Sequence, residues 1–464
     1  MAPAMRFLFA TLQHIESDFY GRVGQRLSSQ GHDVSHVTYS RRSASLLRGR
    51  GVDAYCLPEL MREAELSRPW RELEPEIVAR YPIASLRDVY ATDPPFRGGD
   101  DPDRCGERTV RQFAALERLV ECVRPEIVVP EVGNESIRTI AHLVGTSRGA
   151  TTLFLMYTLF DDPLRLYAGT MDAPIVPMDE LRALSAEEEA ELDGFISRYV
   201  ARNQPIRQYR SVSVDRGRVR AAARHFAVRA LWDRDNVYLT PGSWLARDLR
   251  AKARARAAHR LYSPRLPDRR FVYFPLQVTD DYKILRLRPQ CVDQESLITR
   301  LVDALPEDVE LVVKEHPMSI GRTSFGMLRH LAAHPRIRVA DPYASSLELI
   351  RRSAGVATIS STVGIEALLL ERPVLTLGRP FYSGYGVTLD ADGAAGIPEL
   401  APELLAFRPE RETVRRFLGA AMRHCHPGAP VLVNASDENA LRLAGTLDLA
   451  ARGRLAVSGA DRDD

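Results

Sequence analysis

The sequence predicts an α/β protein with two parallel-sheet halves. Short apolar runs recur along the chain, and each is followed by a segment long enough for an amphipathic helix. This alternation is typical of βαβ units. At 464 residues the chain is also too long for one compact core, which favours two domains.

The amino-terminal half opens as a Rossmann-like βαβ unit. Residues 6–10 are a strand candidate, and residues 19–30 have a helix pattern that Gly31 is well placed to end. Residues 33–39 then alternate apolar and polar side chains, which indicates a second strand. Residues 60–105 are rich in proline, arginine and acidic residues, and we interpret them as a helical insertion.

Two later strand patterns in this half end in acidic and amide side chains. A helix pattern over residues 107–123 precedes a strand at 126–130, and a further buried strand is expected at 151–156. Ligands of open parallel sheets bind outside the carboxyl ends of the strands. The site candidates that follow these two strands are Glu131, Asn134, Asp161 and Asp162. The alternative for Asn134, and for Glu135 beside it, is a cap on the next helix.

The second half repeats strand patterns after a charged helical connection over residues 178–235. Strands are predicted at 237–240, 271–275, 311–314, 337–339, 356–360 and 374–377. The predicted boundaries are 1–205 for a first Rossmann-like domain with the helical insertion, 206–235 for a linker, 236–405 for a second Rossmann-like domain, 406–455 for carboxyl-terminal helices and 456–464 for a disordered tail.

The composition is that of a soluble globular protein. Hydrophobic residues make up 45% of the chain and charged residues 27%, and no apolar stretch reaches the roughly 18 residues that span a membrane. The apolar run at residues 7–10 is too short for a secretory signal, so we expect a cytoplasmic protein. A net charge of +2 gives no general attraction to nucleic acid, which is not expected as a partner.

Cysteine usage argues against a disulfide framework and against a structural zinc site. The five cysteines are scattered, odd in number and without a CxxC pair. His424, Cys425 and His426 form the densest group of soft ligands, but adjacent residues do not easily converge on one ion. We therefore expect no metal.

Positive charge is locally dense over residues 245–270. The basic residues there are Arg247, Arg250, Lys252, Arg254, Arg256, Arg260, Arg265, Arg269 and Arg270, against two aspartates. One interpretation is a solvated helix face, and the other is a basic surface for anionic lipid or a polyanionic acceptor. Lysine occurs three times in the chain, and Lys283 and Lys314 fall within residues 271–386, the segment that contains the motifs described next.

Four strand ends in the second half carry motifs whose residue types agree with one another. The motifs are FPLQ at 274–277 with Asp280 and Asp281 after it, KEHP at 314–317, ISSTVGIEALL at 359–369, and RPVLTLG at 372–378 with FYSGYG at 381–386.

The third motif is the clearest anion site among them. A helix that starts directly after a strand presents free N–H groups and a favourable dipole to an anion. Ser361 or Thr362 can cap this helix and donate a hydroxyl to phosphate, while Glu366 can accept from ribose hydroxyls. Lys314 and His316 can act on a phosphate leaving group, with His316 as a donor. The alternative for the Ser-Ser-Thr sequence is a simple N-cap.

In this order, the motifs resemble the capsule polysaccharide biosynthesis and export family, which includes the retaining β-Kdo transferases that build the lipid linker of bacterial capsules. The resemblance is close over residues 271–386 and only general over the amino-terminal half. It implies a GT-B-like fold, in which two Rossmann-like domains face each other across a cleft. The first domain would hold the acceptor and the second the nucleotide-sugar donor.

The resemblance also implies which residues act. The residues lining the nucleotide and phosphate site would be Gln277, Lys314, His316, Ser360, Ser361, Thr362 and Glu366. A retaining transferase needs a nucleophile for the anomeric carbon. Asp161 is the best candidate, with Glu131 and Asp162 behind it.

The expected reaction is transfer of Kdo or a related acidic sugar from CMP to a glycan or glycolipid acceptor. No cofactor is expected, because CMP is already a good leaving group. The alternatives are a nucleotide-sugar epimerase or CDP-polyol phosphotransferase of the same fold, a secondary-metabolite glycosyltransferase, and a non-catalytic capsule assembly or export component. The expected partners are the donor and the acceptor, and the basic segment would also allow peripheral contact with an anionic membrane.

Overall fold

A computed structural model describes residues 4–201, 216–455 and 457–459. The chain forms two compact units. The first comprises Met1–Pro174, Arg224–Thr240 and His424–Asp464, and the second comprises Ile175–Ala223 and Pro241–Arg423. Within the described residues each unit has one six-stranded α/β sheet. The predicted class, with two Rossmann-like domains of the GT-B kind, is therefore confirmed, while their arrangement across a cleft stays a prediction.

Most of the first unit's elements precede residue 169. In chain order they are β1 (Arg6–Thr11), α1 (His14–Ser29), β2 (Asp33–Thr38), α2 (Arg41–Arg48), β3 (Asp53–Cys56), α3 (Leu57–Glu63), α4 (Trp70–Arg80), α5 (Arg87–Tyr90), α6 (Pro94–Arg97), α7 (Pro102–Val123), β4 (Ile127–Pro130), α8 (Ser136–Ser147), β5 (Thr151–Tyr157) and β6 (Leu164–Ala168).

The remaining elements supply the second unit, and the first unit takes from them the end of α10 and the last helix. They are α9 (Ala186–Ala201), α10 (Arg216–Leu231), α11 (Pro241–Ala258), β7 (Phe271–Pro275), α12 (Gln294–Ala304), β8 (Glu310–Lys314), α13 (Phe325–Ala333), β9 (Ile337–Ala340), α14 (Ser346–Arg352), β10 (Gly355–Thr358), α15 (Val363–Leu369), β11 (Val374–Thr376), β12 (Leu389–Asp390), α16 (Ile397–Glu403), α17 (Arg411–Arg423) and α18 (Asp437–Ala451).

The first sheet has the strand order β3-β2-β1-β4-β5-β6. Its first five strands are parallel, and β6 returns antiparallel to β5. The sequence analysis did not predict β6, a short buried strand of sequence LRLYA that carries Arg165 at its second position. Strand order reverses between β1 and β4, which makes this the switch point of the first sheet.

The second sheet is parallel throughout its described strands and has the order β12-β11-β10-β7-β8-β9. The five strands predicted from residue 271 onward are all present, as β7 to β11. The chain enters at β7, adds β8 and β9 on one side, and then adds the others on the opposite side. The switch point of this sheet therefore lies between β7 and β10.

The central strands of the second sheet are buried along their whole length. Every residue of β7, β8, β10 and β11 is buried. A parallel sheet covered by helices on both faces requires such continuous apolar runs. Polar side chains of this sheet are consequently concentrated where the strands end.

One predicted strand is wrong, and the units differ from the predicted boundaries. Residues 237–240 form no strand, because Val237 and Tyr238 pack against the core of the first unit instead. The first unit also includes α18, whose Leu443 and Leu447 are buried in the same cluster as Phe19 of α1.

Part of the predicted tail is ordered. The N–H of Ser458 donates to the carbonyl of Leu166, and the N–H of Ala168 donates to the carbonyl of Ser458. Residues 456 and 460–464 of that tail, and residues 206–215 of the predicted linker, lie outside the described residues.

Replacement of Gly364 by alanine is expected to destabilise the second unit. An added Cβ would lie 2.1 Å from the hydroxyl oxygen of Tyr382, a buried ring whose O–H donates to the carbonyl of Ser361 at 2.5 Å. Overpacking of this kind costs about 1–3 kcal/mol. Urea unfolding measures the loss. The matched change Gly326→Ala, in an exposed part of α13 where the nearest atom is 3.6 Å from the added Cβ, should be neutral or stabilising. Equal stability of both variants would contradict this packing.

Candidate functional site

Residues from three separate motifs meet at the carboxyl edge of the second sheet. Gln277 lies two residues after β7, and Ser360 lies two residues after β10, so they border the switch point. Lys314 ends β8 and is paired with Pro275 of β7. Open α/β sheets bind their ligands in the crevice at this position. The geometry therefore makes this edge the candidate ligand site of the second unit.

Gln277 is held firmly but is not fully hydrogen-bonded. Its N–H donates to Gln294 Oε1 at 2.8 Å, and its carbonyl accepts from Gln294 Nε2 at 3.1 Å. Its own Oε1 is buried, and no described residue donates to it. A buried acceptor left without a donor costs about 1–3 kcal/mol, and folded proteins rarely keep one without a purpose. Gln277 Oε1 is therefore placed to accept a hydrogen bond from a ligand.

The three hydroxyl side chains in the turn after β10 differ in their hydrogen bonds. Ser361 Oγ accepts the N–H of Val363 at 3.2 Å, so Ser361 makes the contact that the sequence analysis offered to either residue. Thr362 makes no side-chain cap. Ser360 Oγ is enclosed and has no partner within the part of the chain that the structure describes. Ser360 is thus the hydroxyl of this turn best suited to a ligand oxygen.

Lys314 is a buried cation at the end of a buried strand. It is 7% exposed, and no residue in the described ranges accepts a hydrogen bond from its ammonium group. Burial lowers its pKa to about 8, while the carboxylates of Glu366 and Asp341 act in the opposite direction. An approaching phosphate would supply the charge compensation that this ammonium lacks.

Glu366 is linked to a residue that the sequence did not indicate. Tyr199 of α9 donates to Glu366 Oε1 at 2.6 Å. Burial raises the pKa of Glu366, and the Tyr199 hydrogen bond and Lys314 oppose that rise. Tyr199 lies 167 positions earlier, in the segment interpreted as a connection, and no motif around it suggests the contact. One oxygen of the predicted ribose acceptor is therefore already engaged.

His316 lies in the turn after β8 in its neutral form. Its Nδ1 accepts the N–H of Met318 at 3.1 Å, so the neutral ring carries its proton on Nε2. Burial and the positive charge of Lys314 lower its pKa to about 4, and Asp281 acts in the opposite direction. At neutral pH the ring can thus donate a hydrogen bond from Nε2. Its role toward a leaving phosphate stays a prediction.

The first unit has a charged cluster at its own switch point. Glu131 follows β4 directly, is 3% exposed and accepts a hydrogen bond from Tyr20. Burial and the neighbouring Glu16 raise its pKa to about 7, while Arg138 and Tyr20 oppose the rise. Arg138 lies within 2.9 Å of Glu16 and 2.7 Å of Glu135. Glu131 is therefore a carboxyl group that exchanges its proton near neutral pH.

The other predicted carboxylates lie on the same edge of the first sheet. Asp161 and Asp162 are exposed in the loop between β5 and β6, after the carboxyl end of β5. Because β5 runs parallel to β4, this loop and Glu131 are at the same edge. Glu135 stands at the N-cap of α8 but forms no side-chain cap, and its carboxylate lies 2.7 Å from the guanidinium of Arg138. The backbone oxygen of Asn134 accepts from Thr92 Oγ1 at 3.4 Å.

The described residues contain neither a metal-binding cluster nor a membrane-spanning helix. No group of three His, Cys, Asp or Glu side chains there is arranged to hold a metal ion. None of the helices in those ranges is both long enough and apolar enough to cross a bilayer.

Comparison with known proteins bears on the second unit. The model of the family described as "Capsule polysaccharide biosynthesis protein" matches residues 226–403. Protein FixF of Sinorhizobium fredii is 34% identical over 151 residues, which are 32% of this chain and 36% of FixF. The capsule polysaccharide modification protein LipB of Neisseria meningitidis is 28% identical over 26% of this chain and 30% of LipB. The chain thus matches about a third of the length of these relatives.

One solved structure has a low overall similarity to this chain. The β-Kdo 2,7 transferase structure of KpsC from Thermosulfurimonas dismutans is 16% identical, with a TM-score of 0.34 over 73% of this chain and 89% of that one. A likeness at this level does not bear on activity. The match at residues 226–403 does bear on family, because it contains every motif that the sequence analysis assigned to the second domain. Residues 226–403 are therefore the part of this chain that is similar to the capsule polysaccharide biosynthesis family.

Proposed function

We propose that this protein is a glycosyltransferase that moves Kdo or a related acidic sugar from a CMP-activated donor to a glycan or glycolipid acceptor in surface polysaccharide biosynthesis. The observation that carries the proposal is the switch point of the second sheet. There Gln277 Oε1 and Ser360 Oγ have no partner in the described chain, and both follow strands beside or near the one that Lys314 ends. The family match, which contains this site, and the capsule-related names of the relatives support it.

The phosphate, the ribose and the base of cytidine monophosphate would each find a partner at this edge. The ammonium of Lys314 would neutralise the phosphate, and the hydroxyl of Ser360 would donate to one of its oxygens. Glu366 would accept from a ribose hydroxyl through Oε2, because Oε1 already accepts the hydrogen bond from Tyr199. Gln277 Oε1 would accept from an N–H of the base or an O–H of the ribose.

The chemical step would use carboxyl groups of the first unit. We assign Asp161 as the nucleophile, because it is exposed after the carboxyl end of a strand. Its carboxylate would bond to the anomeric carbon as the bond from that carbon to the phosphate oxygen breaks, and CMP would leave with the electron pair. The acceptor hydroxyl would then displace the carboxylate and lose its proton to Glu131, whose pKa of about 7 suits a general base.

The pH dependence of CMP binding tests the site in the second unit. The pKa of Lys314 is lowered to about 8, so its ammonium loses the proton as the pH rises from 7 to 9. Isothermal titration should show CMP affinity falling about tenfold over that range, the value of one charge-assisted hydrogen bond. Lys314→Arg keeps its charge and should give a flat profile. Parallel slopes in the two proteins would remove Lys314 from the site, and binding of neither CMP nor UMP would refute the transferase proposal.

Substitution of neighbouring aspartates tests the nucleophile. With CMP-Kdo as donor, Asp161→Asn should lower turnover by about a thousandfold or more, because an amide cannot form the covalent intermediate. Asp162→Asn is the matched control and should retain most activity. Mass spectrometry of the products measures both. Equal activity of the two variants would move the assignment to Glu131.

The basic segment of the second unit supports peripheral contact with an anionic membrane. The arginines of residues 246–270 are exposed, and no described carboxylate forms an ion pair with any of them. Arg247, Arg250 and Arg254 recur at helical spacing on α11. Each arginine near an anionic surface contributes about 1 kcal/mol of binding.

Vesicle sedimentation tests this contact. The wild-type protein should sediment with phosphatidylcholine vesicles that contain about 30% phosphatidylglycerol, because this anionic lipid gives the vesicle a negative surface potential. It should not sediment with vesicles of pure phosphatidylcholine. The variant Arg247→Gln/Arg250→Gln/Arg254→Gln should lose about a hundredfold in affinity, because three arginines together contribute about 3 kcal/mol. Removal of three exposed arginines of the first unit, in Arg104→Gln/Arg118→Gln/Arg148→Gln, should have a small effect. An equal loss in both triple variants would show a response to total charge alone.

A further inference from the structure

The first unit contains a cavity of about 220 Å³ that the proposed chemistry does not use. It lies where β2 and β3 end, and its walls come from those strand ends, from α3, from α7 and from the segment before α11. The residues that line it are Tyr39, Pro58, Met61, Arg62, Arg108, Arg111, Asp235 and Val237. We call it the β2–β3 cavity.

The charges on the cavity wall favour an anion. Three guanidinium groups, from Arg62, Arg108 and Arg111, line it with the one carboxylate of Asp235. Arg62 lies 3.6 Å from Asp235, and Arg111 lies 2.9 Å from Glu107. All four of these side chains are about one-third exposed or more. Exposed pairs of this kind contribute only about 0–1 kcal/mol. A ligand carboxylate or phosphate can therefore replace the present partners at little cost and gain paired hydrogen bonds.

Arg108 is held at the wall by a buried polar network. Its guanidinium is 11% exposed and lies 3.8 Å from Asp93 and 3.2 Å from Asp100. The Oδ2 atom of Asp93 accepts from Ser136 at 3.0 Å and from Tyr238 at 3.3 Å. Its Oδ1 atom is buried and has no donor among the residues that the structure describes. A guanidinium fixed in this way loses little freedom on binding a ligand.

The remaining lining suits a sugar ring. Pro58, Met61 and Val237 supply apolar surface, which packs against the C–H face of a pyranose, while polar groups around it fix the orientation. The volume is below the range of about 300–1,000 Å³ that holds drug-sized ligands, so one sugar unit is the appropriate size.

The position of the cavity separates it from the reacting carboxyl groups. Neighbouring strands of a sheet lie about 4.8 Å apart. Because β1 lies between β2 and β4, the end of β2 is roughly 10 Å from the end of β4 and roughly 15 Å from the end of β5 along this edge. A sugar in the cavity would thus be separated from Glu131 and Asp161 by more than the length of one sugar ring.

We infer that the β2–β3 cavity binds an anionic sugar unit of the acceptor, at a distance from the hydroxyl that receives the new sugar. The assignment to an acceptor rests on the proposed function, whereas the preference for an anionic sugar rests on the lining alone. The anion can be a sugar carboxylate or a sugar phosphate, which the guanidinium groups recognise in the same way.

Ligand-observed NMR on the full chain tests the cavity with glucuronic acid, glucose 6-phosphate and glucose. At least one anion should bind the wild-type protein about tenfold more tightly than glucose, the effect of one hydrogen bond to a charged group. The tighter of the two identifies the carboxylate or the phosphate as the recognised group. The variant Arg62→Gln/Arg111→Gln should remove this preference, and Arg104→Gln/Arg118→Gln, which removes two exposed charges elsewhere on α7, should preserve it.

Two results would overturn the inference. One is equal affinity of the wild-type protein for glucose and both anions, including no binding of any, and the other is an equal loss in both double variants. Titration of CMP into the same three proteins distinguishes failure of the sugar site from failure of the proposed function. CMP should bind all three equally, because the cavity lies in the other unit. Failure of CMP binding with a retained anion preference would refute the transferase and leave the sugar site standing.

Discussion

Burial of the central parallel strands on both faces is the constraint on which the site in the second unit depends. Strands β7, β8 and β10 are buried along their length because helices cover both sides of the sheet. Their central residues are apolar, and the polar side chains lie at or just beyond the strand ends. Gln277, Lys314 and Ser360 are in different motifs, yet one edge of the sheet brings them together. Gln277 and Ser360 follow β7 and β10, the two strands that flank the switch point, where open α/β sheets bind their ligands.

The electrostatics of this edge follow from the same burial. Removal from water disfavours charge, so the pKa of Lys314 falls and that of Glu366 rises, although each moderates the other's shift. His316 is held neutral by burial and by the nearby ammonium. A buried cation, a neutral imidazole and polar atoms without partners are more costly than an apolar lining. Such an arrangement is stabilised when an anionic ligand supplies the missing interactions.

The first unit uses its carboxyl edge differently. Buried Glu131 shares its surroundings with other carboxylates and one guanidinium, so its pKa lies near neutrality. The exposed Asp161 lies on a loop whose position is set by the antiparallel return of β6. Farther along the edge, Arg108 is fixed by Asp93 at the β2–β3 cavity. This edge therefore carries a buried carboxyl group with a raised pKa, an exposed carboxylate and a cavity lined by guanidinium groups.

The sequence by itself determined the class of fold, the five strands β7 to β11 and the motifs that end them, because apolar periodicity and turn chemistry are local properties. It identified Lys314 and Glu366 as candidates for the same reason, whereas Ser360 was implied by the family resemblance. Only the tertiary structure decided that Tyr199 bonds to Glu366, that Val237 packs in the first unit, and that α18 returns to α1. These contacts join positions far apart in the chain, and no local pattern encodes them. The pKa values were likewise set by burial, which depends on how the whole unit packs.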